Sequence, residues 1–114
     1  MTPRQLYNGE PERFDYAAGI CSGGCTDLDM VWERRGRFLL IENKQPGETI
    51  PMGQLITLRA LERQGWTVWV VTGRPPDDII SAGPLDGPQH PMSVQQLRQR
   101  IQRWWDETSM LAAA

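Results

Sequence analysis

Histidine and cysteine are scarce in these 114 residues: His90 stands alone, and Cys21 and Cys25 are the two thiols. A closed zinc site takes four ligands from that set. The cysteine pair around Ser22-Gly23-Gly24 supplies at most half of one and reads better as two reduced thiols. No apolar run approaches the roughly 20 residues that a bilayer crossing needs, and no basic segment followed by an apolar one opens the chain as in a secretory signal. The expectation is a soluble, cytoplasmic protein with no membrane partner and no small-molecule cofactor. Positive charge is not in surplus either. Twelve Lys and Arg against fourteen Asp and Glu give a net charge of −2 and a pI near 5.3, unlike a tight nonspecific DNA binder. The length fits one domain, 1–114, whose core buries about two-thirds of the unfolded surface and leaves no room for a second binding unit. Its core is expected over 20–105, with 106–114 as a frayed tail.

What is present is concentrated between Thr26 and Lys44. Thr26-Asp27-Leu28-Asp29-Met30-Val31-Trp32 and Phe38-Leu39-Leu40-Ile41-Glu42-Asn43-Lys44 flank a charged turn that ends in Arg35-Gly36. With Arg35 and Gly36 as the two central residues of a tight turn, Gly taking a positive φ, Arg34 faces Arg37. The same ladder sets Val31 against Leu40, Asp29 against Glu42 and Asp27 against Lys44. Alternation with period two then places Asp27, Asp29, Glu42 and Lys44 on one face, and Leu28, Met30, Trp32, Leu39 and Ile41 on the other. Opposed Cβ atoms lie about 4.5 to 5.5 Å apart, close enough for two carboxylates to grip one cation. Such charges are costly to bury for stability alone. They suit a divalent metal and a phosphodiester, and a slip of one residue scatters them.

This run resembles the PD-(D/E)xK nuclease superfamily, whose signature is an Asp on one strand and Glu-x-Lys or Asp-x-Lys on the next. The interval from Asp29 to Glu42 is similar to that of RecB-like members. The order Asp, Glu42-Asn43-Lys44, then Gln54 opening a helix is similar to the small phage and bacterial VRR-NUC domains, with Thr26-Asp27 in place of Pro-Asp. The two comparisons differ on whether Asp27 or Asp29 is the ligand, and the hairpin register favours Asp29. The resemblance covers roughly residues 20 to 72. It implies a restriction-endonuclease-like three-layer α/β core, a central mixed sheet flanked by helices. It also implies a Mg²⁺-dependent deoxyribonuclease, with Mn²⁺ as a substitute, acting in bacterial or phage-infected cells in DNA replication, recombination or repair, on branched DNA among other substrates. Asp29, Glu42 and the backbone carbonyl of Asn43 would hold one or two ions. Lys44 would orient or deprotonate water, and Gln54 would complete the catalytic set. Asp27 is a second ligand, a partner of Lys44, or both. Family members often add an acidic residue from a first helix, a role open to Glu10 or Glu12. Iron-sulfur members carry four cysteines, so this chain alone is not one.

Elsewhere the pattern is coarser. Residues 1–19 suggest one short helix and loops. Pro51 in a first turn and Gly65 after the last bound a helix of about 14 residues in which Gln54, Leu58 and Leu61 share a face. Trp66 to Thr72, ended by Gly73, reads as a central strand reached by a crossover. Residues 73–92 hold five prolines and read as loop, with a short strand near Ile79-Ile80 at most. Ser93 and Gln96 form a capping box for a last helix, whose stripe of Val94, Leu97, Ile101, Trp104 and Trp105 is core or else a homodimer contact. Arg34, Arg35 and Arg37, and again Arg98, Arg100 and Arg103, are either solvated surface or phosphate contacts with salt-sensitive affinity. Two other classes remain: a nucleic-acid-binding relative that no longer cleaves, and an interaction module that docks through its tryptophans.

Overall fold

Leu39, Leu40 and Ile41 are consecutive and all completely buried, which in a strand requires cover on both faces. The computed structural model describes residues 28–74 and 78–111, and supplies that cover. Strands β1 (Met30–Arg34), β2 (Arg37–Lys44), β3 (Thr67–Arg74), β4 (Asp78–Pro84) and β5 (His90–Pro91) form one sheet in the order β1-β2-β3-β4-β5. Helix α1 (Met52–Arg63) joins β2 to β3, and α2 (Val94–Ser109) follows β5. β2 and β3 are parallel and the other neighbours antiparallel. The domain is therefore α/β with a mixed five-stranded sheet.

Even-numbered residues of β2 and β3 face α1, where Leu40, Leu58 and Val68 form one core with Ile50, Leu61 and Trp66 against it. The other core lies on the opposite face under α2: Ile41, Val71, Ala82, Met92 and Leu97, with Trp32, Trp69 and Ile101 packed on it. The hairpin register is the expected one, Arg34 to Arg37 through Met30 to Ile41. Arg35 and Gly36, at φ 55° and 80°, supply the two positive φ values of a turn matched to strand twist.

The structure departs from expectation at several places. β1 begins at Met30, and Asp29 sits in a bend before it. Leu28, expected on the face of Trp32 and Ile41, packs instead with Leu40 and Leu58, because alternation does not extend past the end of a strand. α1 has 12 residues, with Pro51 as its N-cap and Gly65, at φ 96°, just beyond Gln64. β3 continues through Gly73 to Arg74, and the proline-rich stretch contains a seven-residue strand. Pro84 closes β4 and Pro91 lies in the edge strand β5, positions that proline tolerates, so neither interrupts pairing. α2 runs to Ser109 with Thr108 buried, so 106–109 are helix rather than tail.

Both arms of the capping box form, Gln96 N–H to Ser93 Oγ at 3.1 Å and Ser93 N–H to Gln96 Oε1 at 2.9 Å. Of the apolar stripe, Leu97 is core and Ile101 packs on it. Trp105 is overlaid by the Arg34 guanidinium, 4.8 Å from the ring centroid. Among the described residues no helix is long and apolar enough to cross a membrane.

A register shift between Thr72 and Gly73 bends β3 against β4, and Gly73 has φ 152°. A Cβ there would collide with the Asp78 carbonyl oxygen and come 2.7 Å from Ile79 Cα, both backbone atoms. Gly73→Ala is expected to destabilise the domain by at least about 2 kcal/mol, read as a lowered urea midpoint with an unchanged slope.

Candidate functional site

The end of the hairpin away from its turn gathers the polar side chains. Glu42 and Lys44 alternate with Leu40 on the α1 face of β2 and are 5% and 7% exposed, values unusual for either residue type. They are buried because β2 is the second strand of five, with α1 crossing over it. Gln54, in the first turn of α1, donates from Nε2 to Glu42 Oε1 at 2.7 Å. The partner of Gln54 is thus the Glu42 carboxylate itself, not a backbone group.

Asp29 reaches the cluster by an unexpected route. It does not pair with Glu42 in the ladder; its Oδ2 accepts the Asn43 N–H at 2.8 Å. The carboxylate takes the place of the strand carbonyl that would otherwise receive this amide, which is why β1 pairs only from Met30 onward. In an extended residue N–H and C=O leave on the same side, so the Asn43 carbonyl is directed toward Asp29 too. Asp29, Glu42, Asn43, Lys44 and Gln54 therefore converge. Asp27 lies outside the described residues, as do Cys21, Cys25, Glu10 and Glu12.

Glu42 Oε2 is buried and, among the described residues, has no hydrogen-bond partner. An orphaned carboxylate oxygen is costly, and its proton affinity responds. Burial, then the negative charge of Asp29 and a hydrogen bond that the protonated acid can share with Asp29, push the Glu42 carboxyl up from 4.5 to about 7, while the Gln54 hydrogen bond and the Lys44 charge pull the other way. Two carboxylates, one of them with an oxygen that accepts no hydrogen bond among the described residues, and a carbonyl on the Asp29 side of β2 are a hard, all-oxygen donor set of the kind Mg²⁺ takes. Two carboxylates are fewer than a full protein cage, and among the described residues no group of three or more His, Cys, Asp or Glu comes together. Mg²⁺ commonly keeps several waters and one or two carboxylates, so the residues fit it.

The hairpin arginines are elsewhere. Six to eight residues of strand, about 20 to 25 Å, separate the turn from Glu42 and Lys44. Arg34 donates from Nε to Ser109 Oγ at 2.8 Å besides covering Trp105, and Arg35 donates from Nε to the Leu111 carbonyl at 2.7 Å. Both tie the turn to the end of α2, and Arg37 is exposed beside them. The register also sets Thr72 beside Lys44 and Ser81 beside Thr72. Neither hydroxyl stands out in the sequence, although counting by twos from Val68 reaches Thr72. Comparisons of the chain with protein-family models, curated proteins and solved structures find no match.

A carboxyl whose value is higher folded than unfolded binds its proton more tightly in the native state, so stability is greatest when it is protonated. Without metal, stability is expected to fall as pH rises from about 4.5 to about 7, by no more than about 3 kcal/mol. Thermal melts across that range should show the decline in the wild type and its loss in Glu42→Gln.

Proposed function

We propose that this domain is a divalent-metal-dependent nuclease that hydrolyses phosphodiester bonds in DNA, on a core of restriction-endonuclease type. The observation that carries the reading is Glu42 Oε2, buried and, among the described residues, accepting no hydrogen bond, beside a second carboxylate and a lysine. A structural ion pair would leave no such oxygen idle, whereas a metal ligand must keep one available.

Asp29, Glu42 and the Asn43 carbonyl would hold Mg²⁺, or Mn²⁺ in its place. When bound, the ion supplies a Lewis acid for a phosphate oxygen and makes water more acidic. The protein's own groups do the rest. Gln54, by occupying Glu42 Oε1, keeps the carboxylate from rotating and leaves Oε2 directed into the site. Asn43 N–H fixes Asp29 in the same way. Lys44, whose burial strengthens the field of its charge, orients the attacking water and offsets negative charge that builds on the phosphate. The setting implied is replication, recombination or repair in a bacterial or phage-infected cytoplasm, with branched DNA among the substrates.

Asp29→Ala, Glu42→Ala and Lys44→Ala are each expected to lower Mg²⁺-dependent cleavage by at least about 10²-fold. The assay is a panel of labelled linear, flapped and four-way-junction DNAs, with EDTA as the blank. Lys44→Ala cutting at the wild-type rate overturns the assignment.

Metal binding has its own readout. At pH 8, Mg²⁺ at a hundred times its Kd should stabilise the wild type by about 2.7 kcal/mol and leave Glu42→Ala unchanged, as followed by the melting temperature.

A further inference from the structure

The exposed side of α2 carries a second polar constellation, on the opposite face of the sheet from Glu42. Gln96, Gln99, Arg100 and Arg103 fall at i, i+3, i+4 and i+7, one strip of the helix. The apolar stripe of α2 packs on the sheet, and this neighbouring strip borders the edge strand β5. Between them is a cleft of about 270 Å³ lined by these four side chains and His90, with Met92 buried at its base. Among the described residues no carboxylate lines it. Two exposed acids lie one turn beyond Arg103, Asp106, which accepts from Gln102 Nε2 at 3.0 Å, and Glu107, and neither of them lines the cleft. Gln96 gives its Oε1 to the Ser93 amide, which leaves the Nε2 donor of that amide for the cleft.

We propose that this cleft binds a phosphate group. Its polar lining offers guanidinium forks, amide N–H groups and an imidazole, and among the described residues that lining holds no acid. Two guanidinium groups one turn apart match tetrahedral phosphate oxygens through paired, charge-assisted hydrogen bonds. The volume admits a phosphate with little more than its attached sugar, and the cleft is open along the sheet edge, so a phosphate within a polymer can enter as well as a free one. The site does not depend on the nuclease reading: it lies on the α2 face, uses none of the same side chains and needs no metal.

The test uses the full chain in EDTA, so that cleavage plays no part. Inorganic phosphate is titrated while the His90 ring is followed by NMR, and binding of a labelled oligonucleotide is followed by anisotropy over a range of salt. The variants are Arg100→Ala/Arg103→Ala and, as a charge-matched control, Arg63→Ala/Arg98→Ala. All four arginines are exposed, and melts establish that both variants fold.

Phosphate should shift the wild-type His90 resonances and leave those of the Arg100/Arg103 variant in place. If a nucleic-acid backbone is the source of the phosphate, that variant also binds the oligonucleotide at least about tenfold more weakly. Its log–log salt slope then falls by about 1.4 to 1.8. A phosphate response with unchanged oligonucleotide binding assigns the cleft to a free phosphate compound. No phosphate response, or equal losses in the control variant, overturns the proposal.

Discussion

Arg35 and Gly36 are the constraint on which the site rests. With both at positive φ, the turn allows one pairing of β1 with β2, and that pairing brings the chain before Met30 alongside Glu42 and Asn43. Left-handed backbone is uncommon at arginine. It is held here because Arg35 is anchored to the Leu111 carbonyl while Arg34, next to it, is bound to Ser109 and stacked on Trp105. The end of α2 thus braces the turn, and the turn determines what meets at the far end of the strands.

The cost falls on Glu42. A half-paired acid inside a closed core opposes folding, and the apolar contacts on either side of β2 must outweigh it. Leu39, Leu40 and Ile41 immediately precede it and are completely buried, so the strand is held most firmly next to its least favourable residue. Gln54 relieves one oxygen and leaves the other. Under the nuclease reading proposed above, that condition is the one a metal ligand requires.

Much of this was legible along the chain, where the signals are local. The Arg35-Gly36 turn specified the register, Ser93 and Gln96 specified the start of α2, and Pro51 with Gly65 bounded α1 to within two residues. The placing of Glu42 and Lys44 on the α1 face followed from period two in β2, and that of Gln54 near them from the first turn of a crossover helix. What escaped depends on partners distant in sequence. Asp29 leaves the ladder because its own carboxylate captures an amide, and Leu28 turns inward to meet Leu40 and Leu58. β4 forms despite flanking prolines because β3 offers a full edge to pair with. Arg34 looks like free positive charge until Trp105 and Ser109, some seventy residues later, are brought beneath it.

The parallel pairing of β2 with β3 joins residues twenty-eight apart, Leu39 with Thr67 and Lys44 with Thr72. Closing that long a connection costs chain entropy that the local hairpin, which can form within about 1 to 10 μs, does not incur. The hairpin can therefore assemble with both acids still hydrated, and dehydration of Glu42 waits for the crossover to dock. Ion uptake and folding would then compete for the same moment, and a cation bound to the open hairpin would be carried inward as the domain closes.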